Sequence, residues 1–90
     1  MNVIDRVKLL KTLEGISYAD LCEKTGIEKK RLENVIAGKA KLRHEEIESI
    51  GKAWPEYMLW LAYETELPEA GQISPMTKAA QKELGTQRKA

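Results

Sequence analysis

Between Ser17 and Gly38 the chain has the pattern of two short helices joined by a glycine turn, and this pattern restricts the fold more than any other feature. Ser17 can cap the first helix, and Gly26 can end it because glycine readily adopts the left-handed conformation. Ile27 follows, and helical spacing resumes over about residues 28–37. Two helices joined by a turn of three or four residues that contains glycine form a helix-turn-helix, whose second helix fits a DNA major groove.

The rest of the chain predicts further helices. A first helix should begin at Asn2 and end at Gly15, a fourth should cover about residues 44–53, and a fifth should start with Pro55 as its first residue. Residues 68–71 form a break, after which a short helix should start with a Ser-Pro pair and run to about residue 84, leaving residues 85–90 frayed. We therefore expect an all-α fold with a helix-turn-helix domain over residues 1–66. Residues 67–90 would be a C-terminal extension, used for dimerisation or partly flexible.

Composition narrows the class of protein. The 90 residues are 42% hydrophobic and 32% charged, as in a small soluble domain, and one cysteine allows no intrachain disulfide. That cysteine, Cys22, is expected to be a packed thiol. No apolar stretch is long enough for a signal core or a membrane span, and there is no Gly-rich phosphate loop or metal-ligand spacing. We expect a cytoplasmic, nucleoid-associated protein that is not an enzyme and has no metal, cofactor or membrane contact.

Charge is distributed unevenly although the net charge is only +1. Residues 1–42 carry nine Lys or Arg against six Asp or Glu, residues 43–73 carry two against seven, and residues 74–90 carry four against one. The basic first segment contains the helix-turn-helix, and three consecutive cations, Lys29, Lys30 and Arg31, begin its second helix. This arrangement favours contact with the phosphates of DNA.

Residues 17–27, followed by Leu32, Val35 and Gly38, resemble the Cro/C1-type helix-turn-helix of phage repressors and xenobiotic-response-element (XRE) regulators. The resemblance covers about residues 2–54. It implies a five-helix, lambda-repressor-like domain that binds a double-stranded DNA operator as a homodimer. The implied function is that of a sequence-specific transcriptional regulator, a phage or prophage repressor acting on a palindromic operator.

The resemblance also assigns roles to individual residues. Its base-reading positions fall on Lys29, Lys30 and Asn34, and Arg31 beside them would read a base or hold a phosphate. Contacts with the DNA backbone are expected from Ser17 and Tyr18 and from the cations after the third helix, Lys39, Lys41 and Arg43. The chain departs from the family at Tyr18, where Gln is frequent, and at Glu28, where a Ser or Thr cap is frequent.

The fifth helix is apolar almost all round, which has two explanations. It is either the central core helix, or it packs on the core with one face and on a partner subunit with the other. The second explanation, extended to the short helix that follows, predicts a dimer interface of six residues: Tyr57, Trp60, Leu61, Tyr63, Met76 and Leu84.

Two further functions are consistent with the sequence. One is an antitoxin or accessory autoregulator of a small operon, which would bind DNA with the same helix and a protein partner with the fifth helix. The other is a protein-interaction module that does not bind DNA. Binding to duplex DNA at low salt distinguishes the last of these from the other two.

Overall fold

The computed structural model describes the backbone of residues 1–89 and the side chains of residues 1–84. It confirms the all-α fold. The helices are α1 (Val3–Glu14), α2 (Tyr18–Thr25), α3 (Lys29–Ile36), α4 (His44–Ala53), α5 (Met58–Tyr63) and α6 (Pro75–Lys89). Single 3-10 turns precede α5 (Pro55–Tyr57) and lie between α5 and α6 (Pro68–Ala70). Helix α6 is longer than expected, because it continues past Leu84 to Lys89, and Ala90, the last residue predicted to fray, lies outside the described residues.

The ends of the first two helices are set by local hydrogen bonds, as predicted. The Asn2 side chain accepts from the Asp5 amide at the start of α1. At the start of α2, Ser17 and Asp20 form a reciprocal capping box, each side chain accepting from the other residue's amide. Gly26 then ends α2 with a φ of 78°, a backbone conformation that favours glycine.

The core lies where α1, α2, α4 and α5 meet, and α3 contributes its inner face. The core is built from apolar side chains of α1 to α5, of the turn before α3 and of the stretch that joins α4 to α5. Its buried members are Val7, Leu10, Leu21, Ile27, Leu32, Val35, Ile50, Trp54, Tyr57, Trp60 and Leu61. The fifth helical segment, which is the 3-10 turn Pro55–Tyr57 together with α5, is therefore mainly a core element. Burial explains the apolar side that carries Tyr57, Trp60 and Leu61, whereas Leu59, Ala62 and Tyr63 form a second apolar side outside the core.

Residues 72–78 lie against the same core. The Ile73 amide donates to the Glu56 carbonyl, and the Gln72 side chain bonds both the Leu59 amide and the Pro55 carbonyl. These bonds satisfy polar groups at the start of α5 that the helix itself leaves unpaired. Pro75 is buried, and α6 then runs alongside α1.

A small polar cluster attaches α6 to α1 and to the 3-10 turn Pro55–Tyr57. The Tyr57 hydroxyl donates to Glu14 Oε1 at 2.7 Å, and Lys78 Nζ lies 3.5 Å from the same oxygen and 3.1 Å from Glu56 Oε2. Burial, followed by the bond to Glu14, raises the pKa of Tyr57 above its ordinary value of 10.0. The phenol therefore remains a hydrogen-bond donor at neutral pH.

Replacing Tyr57 by Phe should lower the free energy of unfolding by about 1.5–3 kcal/mol, because the variant keeps the buried ring but loses a hydrogen bond to a charged carboxylate. Urea denaturation measures the effect. The matched control is Tyr63→Phe, since the Tyr63 side chain is 76% exposed and its hydroxyl bonds none of the described residues. Equal stability of wild type and Tyr57→Phe would mean that the cluster does not stabilise the fold.

Candidate nucleic-acid interface

Helices α2 and α3 and the turn between them expose one continuous surface. Leu21 on α2, Ile27 in the turn, and Leu32 and Val35 on α3 are buried, so the inner side of the unit belongs to the core. The opposite side of α3 faces solvent. This arrangement is the helix-turn-helix that the glycine turn predicted.

The exposed stripe of α3 consists of Lys29, Lys30 and Glu33 and continues to Ala37 just after the helix, and Asn34 is half-buried beside it. Within the described part of the chain, none of the three charged side chains has a hydrogen bond or an ion pair, and neither has the amide of Asn34. Unbonded donors and acceptors are therefore presented along one side of a helix, the acceptors being the Glu33 carboxylate and the amide oxygen of Asn34. The predicted base-reading residues Lys29, Lys30 and Asn34 lie together on this side.

Arg31, which is predicted to read a base or hold a phosphate, is not free like these residues but is bonded within the fold. Its Nε donates to Glu46 Oε2 at 2.9 Å, and its Nη2 donates to Glu46 Oε1 at 2.9 Å and to the Lys41 carbonyl at 2.6 Å. A guanidinium that bonds a carboxylate with two parallel hydrogen bonds is held in one geometry. Arg31 is therefore a brace between α3, the following loop and the start of α4.

Glu46 completes this brace on α4. Besides Arg31, it accepts from the Arg43 amide at 2.8 Å. The bonds from Arg31, followed by the one from the Arg43 amide, hold the pKa of Glu46 below its ordinary value of 4.5. The loop of residues 37–43 is consequently tied to the first half of α3, and its cations Lys39, Lys41 and Arg43 are all exposed beside that helix.

The first turn of α2 borders α3 on its other side. The Ser17 oxygen accepts in the capping box, which leaves its hydroxyl proton available to an outside acceptor. Tyr18 is half-buried, and Lys11 Nζ lies 4.7 Å from the centroid of its ring.

The Tyr18 ring also forms one wall of an apolar groove between α2 and α3, with a volume of about 390 Å³. Cys22, predicted to be a packed thiol, is half-buried in the same groove, where burial raises its pKa.

The predicted dimer interface is wrong for three of its six residues. Tyr57, Trp60 and Leu61 are only 1%, 3% and 1% exposed, because they form the core against α1 and α4. Tyr63, Met76 and Leu84 are exposed and available to a partner. The surface of α5 that remains outside the core is formed by Leu59, Ala62 and Tyr63, which with Met58 and Gln72 line a shallow apolar depression.

Two residues of this region did not enter the predicted site. Glu33 shares the exposed stripe of α3, and its spacing of four residues from Lys29 was a signal that could have included it. Glu46 determines the position of Arg31, but no local pattern could reveal this, because the two are separated by 15 residues.

The sequence matches no model of a known protein family, and no curated protein matches it at a significant level. The resemblance to Cro/C1-type regulators therefore stays a prediction. In the part of the chain that the structure describes, no group of three or more His, Cys, Asp or Glu residues is placed to hold a metal ion. No described helix is both long enough and apolar enough to cross a membrane.

Replacing Glu46 by Gln should lower the free energy of unfolding at pH 7 by about 1.5–3 kcal/mol, because it removes the charge that Arg31 pairs with. Since folding lowers the pKa of Glu46, this stabilisation is present above pH 4.5 and is lost as the pH falls through the lower folded-state value. The difference between wild type and Glu46→Gln should therefore be constant from pH 7 to pH 4.5 and shrink at lower pH, where Glu46 becomes protonated.

Denaturation curves across that pH range measure the difference. Glu48→Gln is the matched control, since Glu48 is exposed on the same helix and its carboxylate has no partner among the described residues. A deficit of the Glu46 variant that is the same at every pH would show that the ion pair is not its cause.

Proposed function

We propose that the protein is a sequence-specific transcriptional regulator of the phage-repressor type, which binds a double-stranded DNA operator as a homodimer. The observation that carries this proposal is the unpaired stripe of Lys29, Lys30 and Glu33 on a helix whose Arg31 is fixed internally to Glu46. A rigid helix with free polar groups on its outer face is what direct reading of base edges requires. The exposed loop cations beside it supply the charge that attracts phosphates.

The proposed base contacts follow from the chemistry of the side chains on α3. Lys29 and Lys30 would donate to O6 or N7 of guanine, and Asn34 would form two hydrogen bonds with N6 and N7 of adenine. Lys39, Lys41 and Arg43 would contact phosphates on one side of α3, and Ser17 and Tyr18 would do so on the other. Such contacts orient the helix in the groove without reading the sequence.

A second copy of the chain is the proposed partner of the exposed surface of α5. One reading helix covers half of a usual operator, and a two-fold dimer places two such helices about 34–36 Å apart, which is one turn of DNA. Leu59, Ala62 and Tyr63 replace the buried residues as the proposed centre of the interface, and Met76 and Leu84 on α6 stay proposed contacts. The same apolar surface favours the second candidate function, an autoregulator of a small operon that also binds a protein partner.

Lys30→Ala and Asn34→Ala should each reduce discrimination between the preferred site and a scrambled site by about 1–3 kcal/mol, because each removes a base contact. Selection of bound duplexes from random DNA defines the preferred site, and titration of both duplexes with each variant measures the loss. Lys52→Ala is the control, since Lys52 is exposed at the opposite end of α4 from the brace.

The triple variant Lys39→Ala, Lys41→Ala, Arg43→Ala should behave differently in the same titrations. It should weaken binding to all duplexes about equally and reduce the salt slope by roughly one unit for each lost contact. If Lys30→Ala and Asn34→Ala kept the full preference of the wild type, α3 would not be the reading helix.

Tyr63→Glu should convert a dimer into a monomer, because it places a charge at the centre of the proposed α5 interface, where desolvation is costly. Sedimentation at micromolar concentration measures the mass. Leu84→Glu places the same charge at an exposed residue of α6 and shows which of the two helices forms the interface. If Leu84→Glu dissociated the dimer and Tyr63→Glu did not, the interface would lie on α6. A wild-type monomer that still protects a palindromic site as one unit would refute the dimer.

A further inference from the structure

Glu33 lies in the middle of the exposed stripe of α3, four residues after Lys29 and four before Ala37. Its carboxylate is exposed and has no hydrogen bond or ion pair with any described residue. Glu46 is the opposite case on the neighbouring helix, because Arg31 and the Arg43 amide occupy both of its oxygens. Glu33 therefore brings a free hydrogen-bond acceptor to the surface that would enter the major groove.

The surroundings of Glu33 are apolar on one side. Glu33 stands at the edge of the groove between α2 and α3, whose walls include Tyr18, Cys22 and Ile36. A base edge that approached the carboxylate here would meet it together with an apolar wall. A base that fits this place presents one hydrogen-bond donor to the carboxylate and a neighbouring apolar edge to the groove.

Only one base presents that combination in the major groove. Guanine shows N7 and O6 and thymine shows O4, all of them acceptors that repel a carboxylate. Adenine has the N6 donor, but its N7 acceptor lies directly beside it. Cytosine offers the N4 amino group, and the neighbouring group on its edge is the apolar C5–H.

We propose that Glu33 selects a cytosine in each half of the operator, its carboxylate accepting from the N4 amino group while the C5 edge of the base faces the apolar groove. This inference rests on the proposed function, because it requires α3 to lie in the major groove. Lys29 and Lys30 precede Glu33 by four and three residues, and their charges offset the repulsion between its carboxylate and the phosphates.

The rival explanation gives Glu33 no part in reading. A carboxylate on a helix surface often serves only to balance nearby lysines. In that case its removal would strengthen binding to every duplex by a similar factor, since one repulsive charge would be lost. The two explanations therefore differ in sequence preference and not only in affinity.

The test is selection of bound duplexes from random DNA with the wild type, Glu33→Gln and Glu33→Ala. The wild type should enrich a cytosine at one position of each half-site and prefer it to adenine there by about 5-fold to 100-fold. Glu33→Gln should change that position to adenine, because glutamine bonds N6 and N7 together. Glu33→Ala should accept any base there and keep the preferences at the other positions.

Glu23→Gln makes the same change of charge at an exposed site on α2 and should leave every position unchanged. If both Glu33 variants selected the wild-type sequence, the inference would be overturned while the proposed function stood. If the wild type enriched no sequence from the pool, the proposed function would fail and the inference with it. Thermal unfolding followed by circular dichroism verifies that each variant is folded.

Discussion

The pair formed by Arg31 and Glu46 determines how the candidate interface is presented. Helix α3 has only eight residues, too few to be stable alone, and its N-cap residue Glu28 makes no side-chain cap. Packing of Leu32 and Val35 fixes its inner side, and the two hydrogen bonds to Glu46 fix its first turn against α4. The Lys41 carbonyl and the Arg43 amide join the same network, so helix, loop and α4 are positioned together.

A second constraint is the size of the core. A chain of 90 residues buries a limited apolar surface, and this fold uses three large side chains of the fifth helical segment, Tyr57, Trp60 and Leu61, to do so. The segment after it adds to the same unit, because Gln72 bonds the start of α5 and Lys78 reaches Glu14 and Glu56. What remains of α5 on the surface is small and apolar, with Tyr63 as its most exposed aromatic side chain.

Sequence patterns predicted the features that depend on residues close together along the chain. Helix ends at Asn2, Ser17 and Gly26 rest on bonds or backbone angles within four residues, and all three were confirmed. Long-range partners were beyond such reasoning. Arg31 looked like a third reading cation because its partner lies 15 residues away. The interface prediction failed at three positions because apolar character alone does not tell which side of a helix α1 and α4 will cover.

Three consecutive cations thus have two different physical roles. Arg31 is neutralised within the fold, whereas Lys29 and Lys30 stay unpaired with every described residue. If the positive charges of α3 served only to attract phosphates, a carboxylate on the same stripe would be a disadvantage, because its negative charge weakens binding to every DNA sequence alike. If α3 lies in the major groove as proposed, an unpaired Glu33 at the edge of an apolar groove supplies the hydrogen-bond acceptor that distinguishes one base from another.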